Sequence, residues 1–217
     1  ENPNSPAQMG VRGIPAHAAF PDRGVNAIEL AARATNALSE LEMPIDPVLG
    51  QMCLVPTDIV STPYPSISAL PSRVTLRYDR RTGTGETSAQ AVSRIAEVLA
   101  GIDPDAFSVE ISQSQYETYT GLSLEFARDL PAWHTPENAD LVVAAQNCLK
   151  RQALPTIPGI YEFCTNGSEA AGRRGLPTIG LGPGLEQDAH IIDEAIAIGA
   201  LHQAESLYAD LTLEIAG

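Results

Sequence analysis

Basic residues are scarce in this 217-residue chain. Lys and Arg number 13 against 27 Asp and Glu, which leaves a formal net charge of −14 at pH 7. A surface that acidic repels phosphate backbones and anionic bilayers, so nucleic acid and membrane are not expected partners. Cysteine is sparse too. Cys53, Cys148 and Cys164 stand far apart, with no close pair of the kind that marks zinc ribbons or redox sites, and the expectation is reduced thiols in the cytoplasm. No apolar run approaches the roughly 20 residues of a membrane span. The opening "ENPNSPAQMG" has neither the basic region nor the apolar core of a signal peptide. Internal repeats and low-complexity tracts are absent. What the chain does have is 44% hydrophobic residues, enough for one large domain or two small ones with real cores.

The patterning favours two. From Val25, "VNAIELAARATNALSELE" places Ala27, Leu30, Ala31, Ala34, Leu38 and Leu41 on one helical face, and Asn26 with Glu29 fits a capping-box start. "GQMCLVPTDIV" and "SRVTLRYDRR" read as extended, with Val74, Leu76 and Tyr78 alternating with polar residues as in a half-buried strand. "GETSAQAVSRIAEVLAGI" is a second helix, capped by Thr87 and Gln90, and "AFSVEISQSQYET" another alternating strand. With a first strand around "MGVRGIPAH", residues 9–116 give β-α-β-β-α-β, the order of a ferredoxin-like α+β sandwich, behind a polar tail at residues 1–8. Residues 117–135 suit a linker. Residues 136–217 then alternate: a helix at "ENADLVVAAQNCLKRQ", a strand at "TIPGIYEF", a loop and short helix at "CTNGSEAAGRRG", a strand at "LPTIGLG", and a last helix from about Asp193 to Leu211. This is an α/β layer with too few strands for a complete doubly wound sheet.

Three stretches, in this order, carry a resemblance: "GIPAHAAFPDRGVNAI", "LPSRVTLRYDRRTGTGET" and "GLPTIGLGPGLEQDAHIIDEAI". Together they resemble the lid domain and carboxyl-terminal segment of the two-domain zinc exopeptidases, the superfamily of aminoacylase, carboxypeptidase G and succinyl-diaminopimelate desuccinylase. The "YDRR...GET" version resembles its selenium-metabolism hydrolase branch. The resemblance covers nearly all of the chain after its first eight residues. It implies an α/β catalytic domain carrying two divalent metal ions, zinc or else manganese or cobalt, interrupted by a ferredoxin-like lid that mediates dimerisation. The other ligands so implied (a His-x-Asp pair, a bridging Asp and a further acid) and the Glu general base have no counterpart in these 217 residues. The expectation is therefore a chain that begins inside the lid's first strand and holds only an incomplete α/β segment of the catalytic domain.

The resemblance also assigns residues, each of which has a plainer reading beside it. His190, in "DAH", matches the carboxyl-terminal metal ligand, and a neutral imidazole on a loop suits zinc; the plain reading is a solvated loop histidine. His17, in "AHAAFP", matches the lid histidine that in dimeric relatives polarises the scissile carbonyl in the neighbour's active site, a role that needs a donor aimed at the oxyanion. Otherwise it is a strand-end histidine on an exposed edge. Arg81 fits a clamp on a substrate carboxylate, or a strand-end ion pair, while Arg80 should face the opposite side of the strand. Thr165, Asn166 and Gly167 of "CTNG" sit where the superfamily's substrate-binding loop lies, although an ordinary Asn-Gly turn explains the same letters. Cys164 reads as a small packed thiol, and His134 and His202 as surface residues. Ser68 stands where many relatives carry asparagine, a departure that bears on substrate identity.

The sequence thus reads as part of a cytoplasmic, metal-dependent amidohydrolase or exopeptidase. Its substrate would be a small peptide or N-acyl amino acid, hydrolysed by metal-activated water at an amide bond next to a free carboxylate, in a homodimer formed through the lid. The chain alone, with one ligand, is expected to be inactive. The alternative is a non-catalytic dimerisation or ligand-binding module that kept the lid and lost the metal site.

Overall fold

The computed structural model describes residues 5–217, and the chain divides into two compact units, one ending at Ala132 and one starting at Trp133. Residues 1–4 of the expected tail lie outside the described residues. Ala7 and Gln8 are not tail but the start of the first strand.

In the first unit, β1 (Ala7–Arg12), α1 (Ala27–Ser39), the short β2 (Ile45–Asp46) and β3 (Gly50–Gln51), β4 (Cys53–Thr62), β5 (Arg73–Arg81), α2 (Ser88–Ala100) and β6 (Phe107–Ile111) follow one another. Four of these strands make one sheet in the order β4-β5-β1-β6, every pairing antiparallel. The helices start where their caps dictate. Asn26 accepts from the Ile28 N–H at 3.0 Å and its amide donates to Glu29, and Thr87 and Gln90 form a reciprocal capping box. Ala7, Met9 and Val11 of β1 alternate with Val74, Leu76 and Tyr78 of β5 on the face covered by Leu30, Ala34 and Leu38 of α1 and Ile95 and Leu99 of α2. Each large side chain buried there contributes about 1.5–3 kcal/mol. Tyr78 keeps its hydroxyl near Thr35 Oγ1 at 3.4 Å, and burial pushes its pKa up.

Arg80 lies on that same face, nearly inaccessible to solvent. Its Nη2 donates to both Glu86 carboxylate oxygens at 2.7 Å, and its Nη1 to the Arg81 carbonyl. Burial pulls its pKa down and the Glu86 charge opposes this, so the pair is retained only because both ions are satisfied.

The strand expected across "AFSVEISQSQYET" breaks at Ser112. Its pairing with β1 ends where β1 begins, at Ala7 opposite Ile111. Beyond that point β7 (Gln113–Glu117) turns to β8 (Ser123–Ala127) and forms a separate hairpin, with Tyr116 and Phe126 stacked at 5.6 Å. The stretch expected as a linker therefore supplies a strand.

The second unit packs α3 (Asp140–Arg151) on α4 (Ile198–Ala216), burying Val142, Ala145 and Cys148 against Ala204 and Leu207. A π-helical turn spans Ser168–Arg173. Neither "TIPGIYEF" nor "LPTIGLG" forms the expected strand. A strand exists only as a partner in a ladder, and no described segment offers an edge to either. Side chains hold them instead: Gln146 donates to the Thr156 carbonyl at 3.1 Å, Thr135 to Thr178 at 2.6 Å, and Tyr208 to Leu181 at 2.9 Å. The last helix begins at Ile198 and not near Asp193, because Asp193 has φ 62°, outside the helical region. Among the described residues no helix is long and apolar enough to cross a membrane.

Candidate functional site

His17 lies in the loop after β1, and that loop is stitched to the segment before β5. Ala18 donates to the Ser68 carbonyl at 2.9 Å and Leu70 to Ala16 at 2.8 Å, which sets His17 opposite Ala69. Its Nδ1 accepts from the Ala19 N–H at 3.1 Å. In the neutral ring that bond places the proton on Nε2, at the exposed end of the imidazole. The loop thus presents a donor to its surroundings, braced on one side by Phe20, whose ring centroid is 6.0 Å away.

Arg81, at the end of β5, is half-buried, and its Nε donates to Asp79 Oδ1 at 2.8 Å. The two side chains are two residues apart on one strand and share a face. The alternation that puts Arg81 and Asp79 on the open side of the sheet puts Arg80 in the core, as expected from its neighbour's position.

In the second unit Thr165 Oγ1 accepts from the Gly167 N–H at 2.9 Å, and the Asn166 carbonyl accepts from Ala170 at 3.1 Å. "CTNG" is therefore the lead-in to the π-helical turn. Gly167 has a packing reason as well, since a Cβ there would come within 2.5 Å of the Trp133 ring. His190 has φ 64° and donates its N–H to Glu194 Oε2 at 2.9 Å, with the imidazole exposed.

Thus His17 and Arg81 belong to the first unit, and Thr165, Asn166, Gly167 and His190 to the second. The second unit also has an apolar groove of about 570 Å³, bordered by Leu149, Ile157, Ile179, Leu181 and Leu207, and none of the six candidates lines it. Among the described residues no group of three or more His, Cys, Asp or Glu side chains could hold a metal ion. One exposed imidazole suits zinc as a ligand, but a catalytic zinc takes about three protein ligands, so the donors of this chain alone do not make a metal centre.

Sequence reasoning missed a buried polar lock at Asp46. Its Oδ1 accepts from the Val48 and Leu49 amides at 2.8 and 2.7 Å, and its Oδ2 from the Thr84 amide and hydroxyl, both at 2.7 Å. The signal was "IDPVLG", an Asp followed by Pro and Gly, the composition of a side-chain-closed turn.

Residues 6–106 match the family described as the peptidase dimerisation domain of the M20 class. The uncharacterized protein YgeY of Escherichia coli is 30% identical over 211 residues, covering 95% of this chain and 51% of YgeY. The chain therefore spans about half the length of the curated relatives it matches. Among solved structures, a tripeptidase from Staphylococcus aureus superposes with a TM-score of 0.72 at 19% identity, over 97% of this chain and 51% of that one. A Bacillus subtilis protein described as a dinuclear metal binding peptidase from the M20 family superposes with a TM-score of 0.57 at 13% identity, over 98% and 50%. These likenesses establish the fold. Residues 6–106 thus match a peptidase dimerisation domain, and the chain as a whole is similar in fold to solved peptidases, one of them described as from the M20 family.

Proposed function

We propose that this chain is the lid and carboxyl-terminal part of a metal-dependent amidohydrolase or exopeptidase. The whole protein would hydrolyse an amide bond next to a free carboxylate, in a small peptide or N-acyl amino acid. On this reading residues 9–116 are a ferredoxin-like lid that pairs two subunits, and residues 136–217 complete a catalytic domain whose remainder lies on polypeptide outside residues 1–217. The curated relative, about twice as long as this chain, supports that division. His190 is one ligand to a divalent metal, zinc or else manganese or cobalt. Bound there, the metal supplies a Lewis acid that activates water.

The chain's own residues have binding and orienting roles. His17 donates from Nε2 to the carbonyl oxygen of a substrate held by the other subunit. Arg81 exchanges its contact with Asp79 for the substrate carboxylate. Thr165, Asn166 and Gly167 border the anionic end of the substrate. The observation that carries this reading is the His17 loop: its ring is oriented by the Ala19 amide so that the proton sits on the outward nitrogen.

The test uses the full-length protein. A His17→Ala variant and a variant lacking the general-base Glu should each be inactive. After subunit exchange the mixture should recover about one quarter of the parent rate, since about half the dimers are mixed and each of these holds one whole site. A mixture that stays inactive despite proven heterodimers would return His17 to a strand-end residue. Parent protein that hydrolyses no N-acyl amino acid or dipeptide with zinc, manganese or cobalt would favour the non-catalytic module.

A further inference from the structure

The open face of the four-stranded sheet, opposite the helices, carries Arg12, Arg73, Arg77 and Arg81. Two of them have acids: Arg77 meets Asp58 at 2.8 Å and Arg81 meets Asp79 at 2.8 Å. Arg12 and Arg73 do not. They are directly opposite each other in the β1–β5 pairing, and neither guanidinium has a hydrogen bond or ion pair to any described residue. Like charges directly opposite across a strand pair are destabilising. In a chain with 27 acids against 13 bases, an arginine pair without a carboxylate needs another reason.

The surroundings supply one. Arg12 and Arg73 border a cleft of about 290 Å³ together with Gly10, Ser72, Ser108 and Asp105. Gly10 sits inside the central strand, where a side chain would ordinarily add packing, and glycine there marks close approach of another group. That group is the Ser108 side chain. A Cβ on Gly10 would come within 3.5 Å of Arg73 Nη2 and 2.6 Å of Ser108 Oγ. The glycine therefore leaves room for the Ser108 hydroxyl on the open face, with the Arg73 guanidinium in ordinary contact range beside it and Arg12 opposite Arg73. Two arginines and the Ser108 hydroxyl border one cleft, against the single carboxylate of Asp105, while the Ser72 hydroxyl donates to the Thr62 carbonyl at 3.3 Å.

We infer that this cleft binds a small oxyanion, a carboxylate or phosphate group held between the Arg12 and Arg73 guanidinium groups with Ser108 as a hydroxyl donor. Planar forks match the oxygens of either group in pairs. Asp105 opposes a highly charged ligand and favours one that carries its own positive group or a single anionic end. The inference goes beyond the hydrolase reading and needs neither a metal nor a second subunit.

The experiment is an NMR titration of the 217-residue chain at low ionic strength with two probes, inorganic phosphate and glutarate. The expected result is saturable one-to-one shifts centred on the Gly10 and Ser108 amides for at least one probe, and the tighter probe assigns the anion class. The Arg12→Gln/Arg73→Gln double variant should weaken that binding by about tenfold or more, while Arg77→Gln on the same face leaves it unchanged. Without ligand the double variant should melt no lower than the parent, because a like-charge pair has been removed. Failure of both probes to saturate, equal loss in Arg77→Gln, or a lower melting temperature accompanying lost binding would each overturn the site, the last by assigning the arginines to the fold.

Discussion

The unit ending at Ala132 closes a core on itself, whereas the unit starting at Trp133 leaves much of its apolar surface in water. In the first, buried residues from Ala7 to Ala106 form one cluster drawn from two strands and two helices, with Ala106 just before a third strand. In the second, α4 buries only Ala204 and Leu207 along its 19 residues, and Ile198, Leu201, Tyr208, Leu213 and Ile215 are exposed. A helix apolar around most of its circumference is built to be covered. The two extended segments beside it, rich in Ile, Pro and Gly, have strand composition and no ladder. The difference shows what a complete layer requires: α1 and α2 have a sheet beneath them, and α3 and α4 have only each other.

The largest expected effect comes from cutting the chain between the units. Residues 1–132 expressed alone should unfold cooperatively in urea, since their core is self-contained. Residues 133–217 alone should bind a hydrophobic dye and show no cooperative transition, as a unit too poor in buried area to offset its chain entropy does. Cooperative unfolding of the second piece, with a slope appropriate to its length, would break the comparison.

Point substitutions sharpen it within the intact chain. Leu76, 2% exposed at the centre of β5, should cost about 2–5 kcal/mol when changed to alanine. Ile192, 92% exposed, should cost no more than about 0.5 kcal/mol. Urea midpoints of the two variants measure the contrast directly. Similar losses would mean that Ile192 is covered in solution and that the second unit is less open than it stands here.

How legible each region was follows the same division. Periodicity and capping located α1, β5 and α2 because those signals are local: Asn26 and Thr87 cap the helices that follow them, and Val74, Leu76 and Tyr78 alternate as strand residues do. Strand ends were less legible, since β6 stops at Ile111 opposite Ala7, where Pro6 accepts one last bond from the Ser112 N–H and has no N–H to return. In the second unit "TIPGIYEF" and "LPTIGLG" read as strands from their composition and form none, because pairing depends on a neighbour that local sequence does not specify. Site residues divided similarly. The face of Arg80 was readable from alternation, but the bond from Ala19 to His17 and the opposition of Arg12 and Arg73 depend on contacts across loops and strands.

The smallest effect separates a buried carboxylate in the first unit from an exposed one in the second. Burial raises the pKa of Asp46, but the amides of Leu49, Val48 and Thr84 and the Thr84 hydroxyl outweigh it and hold the carboxyl at about 2, against an ordinary value of 3.8. A folded pKa below the unfolded one adds stability that is fully present above pH about 4 and is lost as pH falls through about 2. The contribution is about 2 kcal/mol. Urea stability of the parent should therefore exceed that of Asp46→Asn near neutrality, and the lead should shrink between pH about 4 and about 2. Glu169 also has a lowered pKa, through its bond from Arg174, but its ion pairs are open to solvent, where pairing is screened and adds little. Glu169→Gln should leave the pH profile of stability where it was. A constant lead of the parent over Asp46→Asn down to pH about 2 would show that the turn is held by hydrogen bonding in either charge state, and the acid sensitivity of the first unit would then have to reside elsewhere.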